Sequence, residues 1–460
     1  MKRAVVFLFA MLSLFLSSGA RAAVGSVSAT DVSPAIATGA LGTTTVQWSA
    51  SGVATAEVWV SMDDAAESLF ARAPSGSQSA TWIQAGHDYQ FKLYAERDHS
   101  LLLGSVRVWG ESAYKVGVDY HATGADFLKT SFVTQYHAPG VRDVVRTQLQ
   151  SLADRGATVI HTRLWMVVGP GGSDFGETWR AHFPLSTQEA ANLRSYAQDV
   201  AAVRAVDGHR LRLDITLLWL GAADFQQGSP AAGLGYDRLS EAEFASRVRQ
   251  TVASTLGAVA DVVRSDGRKV VDTLYLDGEV MVGAKANQDW FLATLYPGFV
   301  ASVRSAGLTP SLYFLAAATE AEVLDNGFVD GTYPVLSRHR SMYWIYRSLR
   351  FLKDHALPIP SRIDFSCYPE RRSATYSTLV QRVMDDADAT LPSLGIAPKY
   401  GVVETMYLLD SAERRALGQA FATQRLIRSR LERVLFWTTP DGGGSGVHVG
   451  FPLAVEDYLP

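Results

Sequence analysis

The sequence predicts an α/β chain built as a (β/α)8 TIM-type barrel behind a small N-terminal all-β sandwich. Three observations carry that expectation. From Tyr114 onward eight strand-like segments alternate with amphipathic stretches, whereas residues 24 to 110 carry only period-two runs. At 460 residues, the chain is also too long for one small domain and suits a large barrel plus a module.

The chain opens MKRAVVFLFAMLSLFLSSGARA, in which Lys2 and Arg3 precede an apolar run and Ala20-Arg21-Ala22 closes it. This pattern is a secretory signal over residues 1–22, cut before Ala23, and it implies a secreted or periplasmic protein. No other uncharged apolar run reaches spanning length, so no membrane span is expected in the mature chain. With 42 Lys+Arg against 46 Asp+Glu, the net charge of −4 gives no reason to expect nucleic acid as a partner. The single cysteine, Cys367, excludes an internal disulfide, so core burial must hold the fold. Its expected role is that of a small buried hydrophobe.

Residues 24–110 are rich in Ser, Thr, Ala, Gly and Val, and they alternate in TTTVQWSA, TAEVWVSM, YQFKLYAE and LLGSVRVWG. Alternation broken by Gly, Ser and Pro turns reads as a small antiparallel sandwich. The texture resembles the bacterial immunoglobulin-like or fibronectin-like modules that precede secreted carbohydrate enzymes. That resemblance implies a spacer, with sugar contact through exposed aromatics as the alternative.

Residues 113–460 are assigned to the barrel. Its expected strands are KVGVDY (115–120), ATVIHTRLW (157–165), LRLDITLLW (211–219), DTLYLD (272–277), PSLYFL (310–315), RIDFSC (362–367), YGVVET (400–405) and RVLFWTT (433–439). Between them, runs such as VRDVVRTQLQSLADRG and EAEFASRVRQTVASTLGAVADVVRSDG repeat apolar residues at three- and four-residue steps. Gly156, Gly208 and Gly267 mark helix stops. An open doubly wound sheet is the competing topology, but no glycine-rich nucleotide fingerprint follows the first strand. GPGG at 169–172 and DGGGSG at 441–446 lack the Lys-Ser/Thr of a phosphate loop and read as loops.

A barrel carries its chemistry at the C-terminal ends of its strands. In order, those ends offer Asp119, Tyr120 and His121, then Arg163 and Trp165, Trp219, Asp277 and Glu279, Tyr368, Glu404 and Trp437. Glu404, in KYGVVETMYLLD, is a lone carboxylate in a strand that otherwise reads as buried, which is costly unless it is paired. Acids, one arginine and several aromatics suit sugar chemistry. Carboxylates move protons and stabilise an oxocarbenium-like centre, while aromatic faces stack on pyranose C–H surfaces. No HExxH and no close Cys/His spacing argues for zinc, and no cofactor or metal is expected.

On these residues the barrel, about three quarters of the chain, resembles the retaining clan A glycoside hydrolases, whose glutamates end the fourth and seventh strands. The resemblance implies Glu404 in VVETMY as nucleophile and Glu279 in LYLDGEV as acid/base. It also implies Arg163 as the support of the nucleophile, Tyr368 in FSCYPE as its aromatic contact and Trp437 as the floor of the sugar site. Arg163 and Tyr368 would keep Glu404 ionised, while apolar Leu276, Val280 and Met281 would raise the pKa of Glu279 toward that of a general acid. Asp119, His121, Trp165, Trp219 and Asp277 complete the expected substrate-binding set. One departure stands out: Gly278 occupies the position where the clan usually places an asparagine.

A rival follows from DTLYLDGE, which matches three acids of the D-x-x-D-x-D-x-E signature of chitinase-like barrels, with Tyr275 at the missing one. There Asp277 would orient a substrate N-acetyl group and Glu279 would remain the acid. A third reading is a degenerate barrel that binds an exopolysaccharide without turnover. The expected partner in each case is a polysaccharide or oligosaccharide, and the expected state is a monomer.

Overall fold

The computed structural model describes residues 22–37, 39–96, 99–120, 132–167, 180–218, 239–276, 285–315, 342–367, 376–396, 399–405, 431–439 and 449–450. The chain divides into two compact units. One runs to Pro34 and resumes from Leu41 to Gly110; the other takes Ala35–Ala40 and the chain from Glu111 onward.

The first unit is an all-β sandwich of β1 (Val24–Ala29), β3 (Gly42–Ser51), β4 (Ala56–Met62), β5 (Ser68–Arg72), β6 (Ser75–Ile83), β7 (Asp88–Ala95) and β8 (Leu101–Trp109), with β2 (Ala35–Ile36) belonging to the other unit. Its two antiparallel sheets run β1-β3-β6 and β5-β4-β7-β8. Alternation explains the packing: along β7, Tyr89, Phe91, Leu93 and Ala95 are buried while Asp88, Gln90, Lys92 and Tyr94 are half-buried on the outer face. Trp82 of β6 meets Phe91 of β7 at 6.2 Å between ring centroids, joining the inner faces of the two sheets.

In the second unit, β2 pairs in parallel with β9 (Glu111–Ser112). The barrel follows as β10 (Lys115–Tyr120), β11 (Val159–Val167), β13 (Arg212–Leu218), β14 (Val271–Leu276), β15 (Thr309–Leu315), β16 (Ile363–Cys367), β17 (Tyr400–Thr405) and β18 (Leu431–Thr439). These eight parallel strands match the eight expected segments to within two residues at either end. Pairing of β10 with β18, Lys115↔Arg433 through Tyr120↔Thr438, closes the barrel. The short β12 (Arg180–His182) and β19 (Val449–Gly450) extend β11 and β18.

The described helices are α1 (Phe132–Gln135), α2 (Val141–Asp154), α3 (Thr187–Ala202), α4 (Glu241–Val259), α5 (Lys285–Thr294), α6 (Tyr296–Ser305), α7 (Tyr343–Asp354) and α8 (Tyr376–Thr390). Local sequence accounts for their ends. Ser186 and Glu189 form a reciprocal capping box at α3, and Ser240 caps α4. Gly156, expected as a helix stop, follows the C-cap of α2 with φ 95°, which L side chains rarely adopt. Gly208 and Gly267, expected likewise, instead lie in turns closed by the Arg204↔Arg210 and Val263↔Lys269 bridges, after α3 and α4 have already ended at Ala202 and Val259. Among the described residues, no helix is long and apolar enough to cross a membrane.

Where their side chains are described, the barrel strands are buried over most of their length, with side chains alternating between the helical shell and the barrel interior. On β11, Ile160, Leu164 and Met166 join the shell core, and the Thr162 hydroxyl bonds the Tyr196 hydroxyl of α3 at 2.9 Å. Val159, His161 and Arg163 take the interior positions. Space there is tight at Gly401 of β17, where an added Cβ would lie 2.1 Å from Asp364 Oδ1 and 2.9 Å from Arg433 Cγ. Gly401→Ala is therefore expected to destabilise the barrel by about 3 kcal/mol. Gly257→Ala, in exposed helix with nothing within 4 Å of the added Cβ, is expected to stabilise it by about 1 kcal/mol. Urea denaturation of the two variants beside the parent checks both signs.

Candidate active site

The barrel interior is a ladder whose lower rungs are charged. At the N-terminal ends of the strands, the buried Arg433 guanidinium donates to Asp214, to Asp272 Oδ2 at 2.7 Å and to the Tyr275 hydroxyl at 3.3 Å. Arg362 grips Asp364 with two bonds, of 2.6 and 2.9 Å, and reaches the same Tyr275 hydroxyl at 3.2 Å. Ser311 donates to Asp364 at 2.6 Å, and Lys115 to Asp272 at 2.7 Å. Below this, Arg212 binds Glu111 through two nitrogens and reaches Asp272 at 3.2 Å. Arg264 and Arg268 close on Glu111 at 3.4 Å.

Burial alone would raise the Asp272 carboxyl, but Lys115, Arg433 and Arg212 hold it well below the usual carboxylate range. Glu111 is likewise burdened by burial, and Arg212 above all brings it down to about 2. The cationic side responds in kind: despite its burial, Arg433 is held well above its ordinary value by Asp214. These groups are paired with one another, although Arg433 Nε has no hydrogen-bond partner among the described residues and burial pushes the Asp214 carboxyl up despite Arg433. The floor is a structural plug, and its acids are committed to their cations.

Above the floor sits an apolar and aromatic layer of Val159, Tyr275, Tyr313 and Leu435. His161 Nε2 bonds Thr216 Oγ1 at 2.7 Å, and its ring lies 5.6 Å from that of Tyr275. Arg163 follows two residues later on β11, 6% exposed, with its guanidinium carbon 5.5 Å from the Tyr313 ring centroid. A buried guanidinium lying on an aromatic face is held in place by the ring quadrupole.

Of the expected site residues, Arg163 is described in full. Asp119, Trp165, Glu404 and Trp437 are described by their backbone. Asp119 lies opposite His161 on β11 and opposite Trp437 on β18, so the first and last strands bring these two positions side by side. Trp165 pairs with Leu218 of β13. Glu404 is the fifth of six residues in β17, toward its C-terminal end. His121, Trp219, Asp277, Glu279 and Tyr368 lie outside the described residues.

The backbone around Glu404 departs from regular pairing. Against β16, Phe365 is opposite Val402 but the next residue, Ser366, is opposite Glu404. Against β18, Val402 is opposite Val434 while Thr405 is opposite Phe436, so three steps along β17 match two along its neighbour. Both neighbours therefore see one extra residue, a β-bulge immediately before Glu404. Bulges recur at barrel rims and beside active sites, where they break the alternation that precedes them.

Sequence reasoning passed over the floor residues Asp214, Asp272, Asp364, Arg362 and Arg433. Their signal was present: each is a charge just before or within the first three residues of an otherwise apolar strand, in LRLDITLL, VVDTLYL, SRIDFS and LERVLFW. Asp272, the first acid of the chitinase-like pattern, belongs to this floor. Among the described residues, no group of three or more His, Cys, Asp or Glu is arranged to hold a metal ion. A groove of about 720 Å³ between α2 and α3, lined in part by Asp143, Arg146, Gln150, Asp154 and Asp199, lies on the helical shell and contains none of the expected site residues.

Neither a protein-family model nor a curated relative matches the sequence. Among solved structures, the chain is similar to a β-glucuronidase of Lactobacillus rhamnosus, at 12% identity and a TM-score of 0.37, with 93% of this chain aligned to 64% of that one. It is also similar to the β-glucuronidase of Ruminococcus gnavus, at 11% identity and a TM-score of 0.34, with 95% aligned to 67%. A structure of the R. gnavus enzyme in complex with D-glucuronic acid aligns at 12% identity and 0.33, with 95% against 66%. The chain thus spans about two thirds of the length of these enzymes. At such scores the likeness is a loose one, and their substrates do not carry over.

The floor makes a definite pH dependence. Glu111 has its carboxyl depressed from 4.5 to about 2, so its contribution to stability is complete above its unfolded value and is lost as pH falls from about 4.5 through about 2. Barrel melting temperatures should therefore fall steeply across that acid window. Glu111→Gln should melt lower near neutral pH and show a shallower acid decline, as followed by calorimetry.

Proposed function

We propose that the chain is a secreted or periplasmic glycoside hydrolase that cleaves a polysaccharide with retention of configuration. The observation that most supports this reading is the β-bulge directly before Glu404, near the C-terminal end of the seventh strand of a closed parallel barrel. In the same barrel, Arg163 of the second strand is buried, with its guanidinium fixed over the Tyr313 ring. A cation on that strand suits the task of keeping a nucleophilic carboxylate ionised.

In this mechanism Glu404 attacks the anomeric carbon while Glu279 protonates the leaving oxygen, and Glu279 then activates water against the glycosyl-enzyme. Trp437, Trp165, Trp219 and Tyr368 supply stacking surfaces, and Asp119, His121 and Asp277 bind hydroxyls. The enzyme acts as a monomer without a cofactor, behind an immunoglobulin- or fibronectin-like module. In the chitinase-like alternative, Asp277 and Glu279 would carry the chemistry and Asp272 would take no direct part. The first acid of that pattern is tied to Lys115, Arg212 and Arg433 at the opposite end of β14 from Asp277.

Against a panel of aryl glycosides, Glu404→Gln should lower kcat by about 10³-fold or more with little change in KM. Azide should restore turnover to Glu404→Gly with an inverted glycosyl azide as product. Unchanged kcat in Glu404→Gln would remove Glu404 from the chemistry. Polysaccharide binding without turnover in the parent protein would instead favour the non-catalytic barrel.

A further inference from the structure

The outer face of the β5-β4-β7-β8 sheet holds a small site that is already filled. Trp59 of β4 and Tyr94 of β7 stand on that face, and the His99 imidazole, from the β7–β8 connection, is seated against both. It stacks on Tyr94 at 4.6 Å with the planes 7° apart, and it meets Trp59 at 4.2 Å and 70°. Two carboxylates face its two nitrogens: Glu57 Oε2 lies 4.0 Å from Nε2, and Glu67 Oε2 lies 3.9 Å from Nδ1. Those distances are too long for hydrogen bonds. The imidazole therefore fits the aromatic walls but not the polar ones.

The polar groups are well organised in themselves. Glu57, 1% exposed, accepts from Trp59 Nε1 at 2.8 Å and from Arg72 Nε at 2.6 Å. Glu67 accepts from Lys92 at 2.6 Å and from the Tyr94 hydroxyl at 3.2 Å. Two carboxylates and two cations sum to zero, so the site offers donors and acceptors without a net charge. That chemistry does not select an ion. It suits a flat, neutral, polyhydroxylated ring, whose C–H face stacks on an aromatic and whose hydroxyls bridge to carboxylate, ammonium and guanidinium.

The connection bearing His99 is anchored where it leaves β7. Its base is pinned, since Glu96 accepts from the Ala54 amide and from the Thr55 hydroxyl, both at 3.2 Å. Glu96 and His99 both have positive φ, 61° and 57°, which non-glycine residues adopt only under constraint. The His99 side chain remains 32% exposed.

We propose that the Trp59–Tyr94 pair, with Glu57, Glu67, Arg72 and Lys92, is a binding site for a neutral polysaccharide, and that His99 occupies the place of a sugar ring in the free protein. This site lies wholly within the sandwich unit and stands independently of the barrel chemistry proposed above. A self-occupied site binds more weakly by the fraction of time it is open, and removing the occupant removes that penalty.

The test is native affinity electrophoresis of the full chain in gels containing barley β-glucan, xylan, galactomannan or dextran, with circular dichroism on each variant to establish folding. At least one polymer should retard the parent chain, and His99→Gly should bind it about tenfold more tightly. Trp59→Ala should abolish the retardation, and Glu67→Gln, a gentler change, should weaken it. The proposal is overturned if His99→Gly binds no better than the parent, if no polymer retards either protein, or if folded Trp59→Ala and Glu67→Gln both bind like the parent.

Discussion

Two guanidinium groups inside a closed β-barrel set the terms for the rest of that unit. Arg433 and Arg362 both reach the Tyr275 hydroxyl, in an interior where an unpaired cation would be prohibitively expensive. Their counter-charges come from different strands: Asp214 from β13, Asp272 from β14 and Asp364 from β16. Satisfying the cations therefore requires these strands to sit in their observed registers. A one-residue slip of β18 would carry Arg433 from the interior to the helical shell, leaving Asp214 without its cation and Asp272 with one fewer. Ion pairs of this kind add little net stability over an apolar core, but breaking one is severely penalised. The network thus acts chiefly to exclude wrong registers, with Gly401 leaving the room it needs.

The charges at the floor are spent on one another, and the barrel interior changes character away from them. Moving up the interior, ionic contacts give way to the Val159, Tyr275, Tyr313 and Leu435 layer, then to the His161–Thr216 bond, then to Arg163 on its aromatic rest. The apolar layer insulates the floor charges from the mouth, so the field felt there is set by nearby groups. Tyr313 contributes in both directions, packing into the layer below and presenting a ring face to the guanidinium. The buried Arg163 guanidinium is thus fixed by the ring beneath it.

The barrel strands were legible because parallel strands buried on both faces become short apolar runs between amphipathic helices, and all eight appear where the sequence put them. Arg163 was legible for the same reason, as a cation stranded in such a run. The division of the chain was less so. Ala35–Ile36 pairs with β9 and belongs to the barrel unit, yet two residues carry no periodicity to announce it. The seat of His99 was also invisible, since it depends on a connection folding back over a sheet face, and the YQFKLYAE pattern shows only that Tyr94 points outward. The bulge in β17 left no sequence mark either. VVET reads as regular strand, and the extra residue emerges only from pairing with both neighbours.

The isolated charges of the barrel strands divide by position rather than by type. Lys115, Asp214, Asp272, Asp364 and Arg433 fall within the first three residues of their strands, and each has its partners among the others or their neighbours. Glu404 falls at the fifth of six. A charge at the start of a barrel strand meets other strand starts, which the fold must neutralise to close its floor. Glu404 instead follows an irregularity in the pairing of β17, which resumes with Glu404 opposite Ser366. The same residue type in the same kind of apolar run therefore has opposite meanings at the two ends. Asp272 shows the consequence, for a spacing that reads as one catalytic string along β14 begins in the floor and can reach the mouth only with its later members.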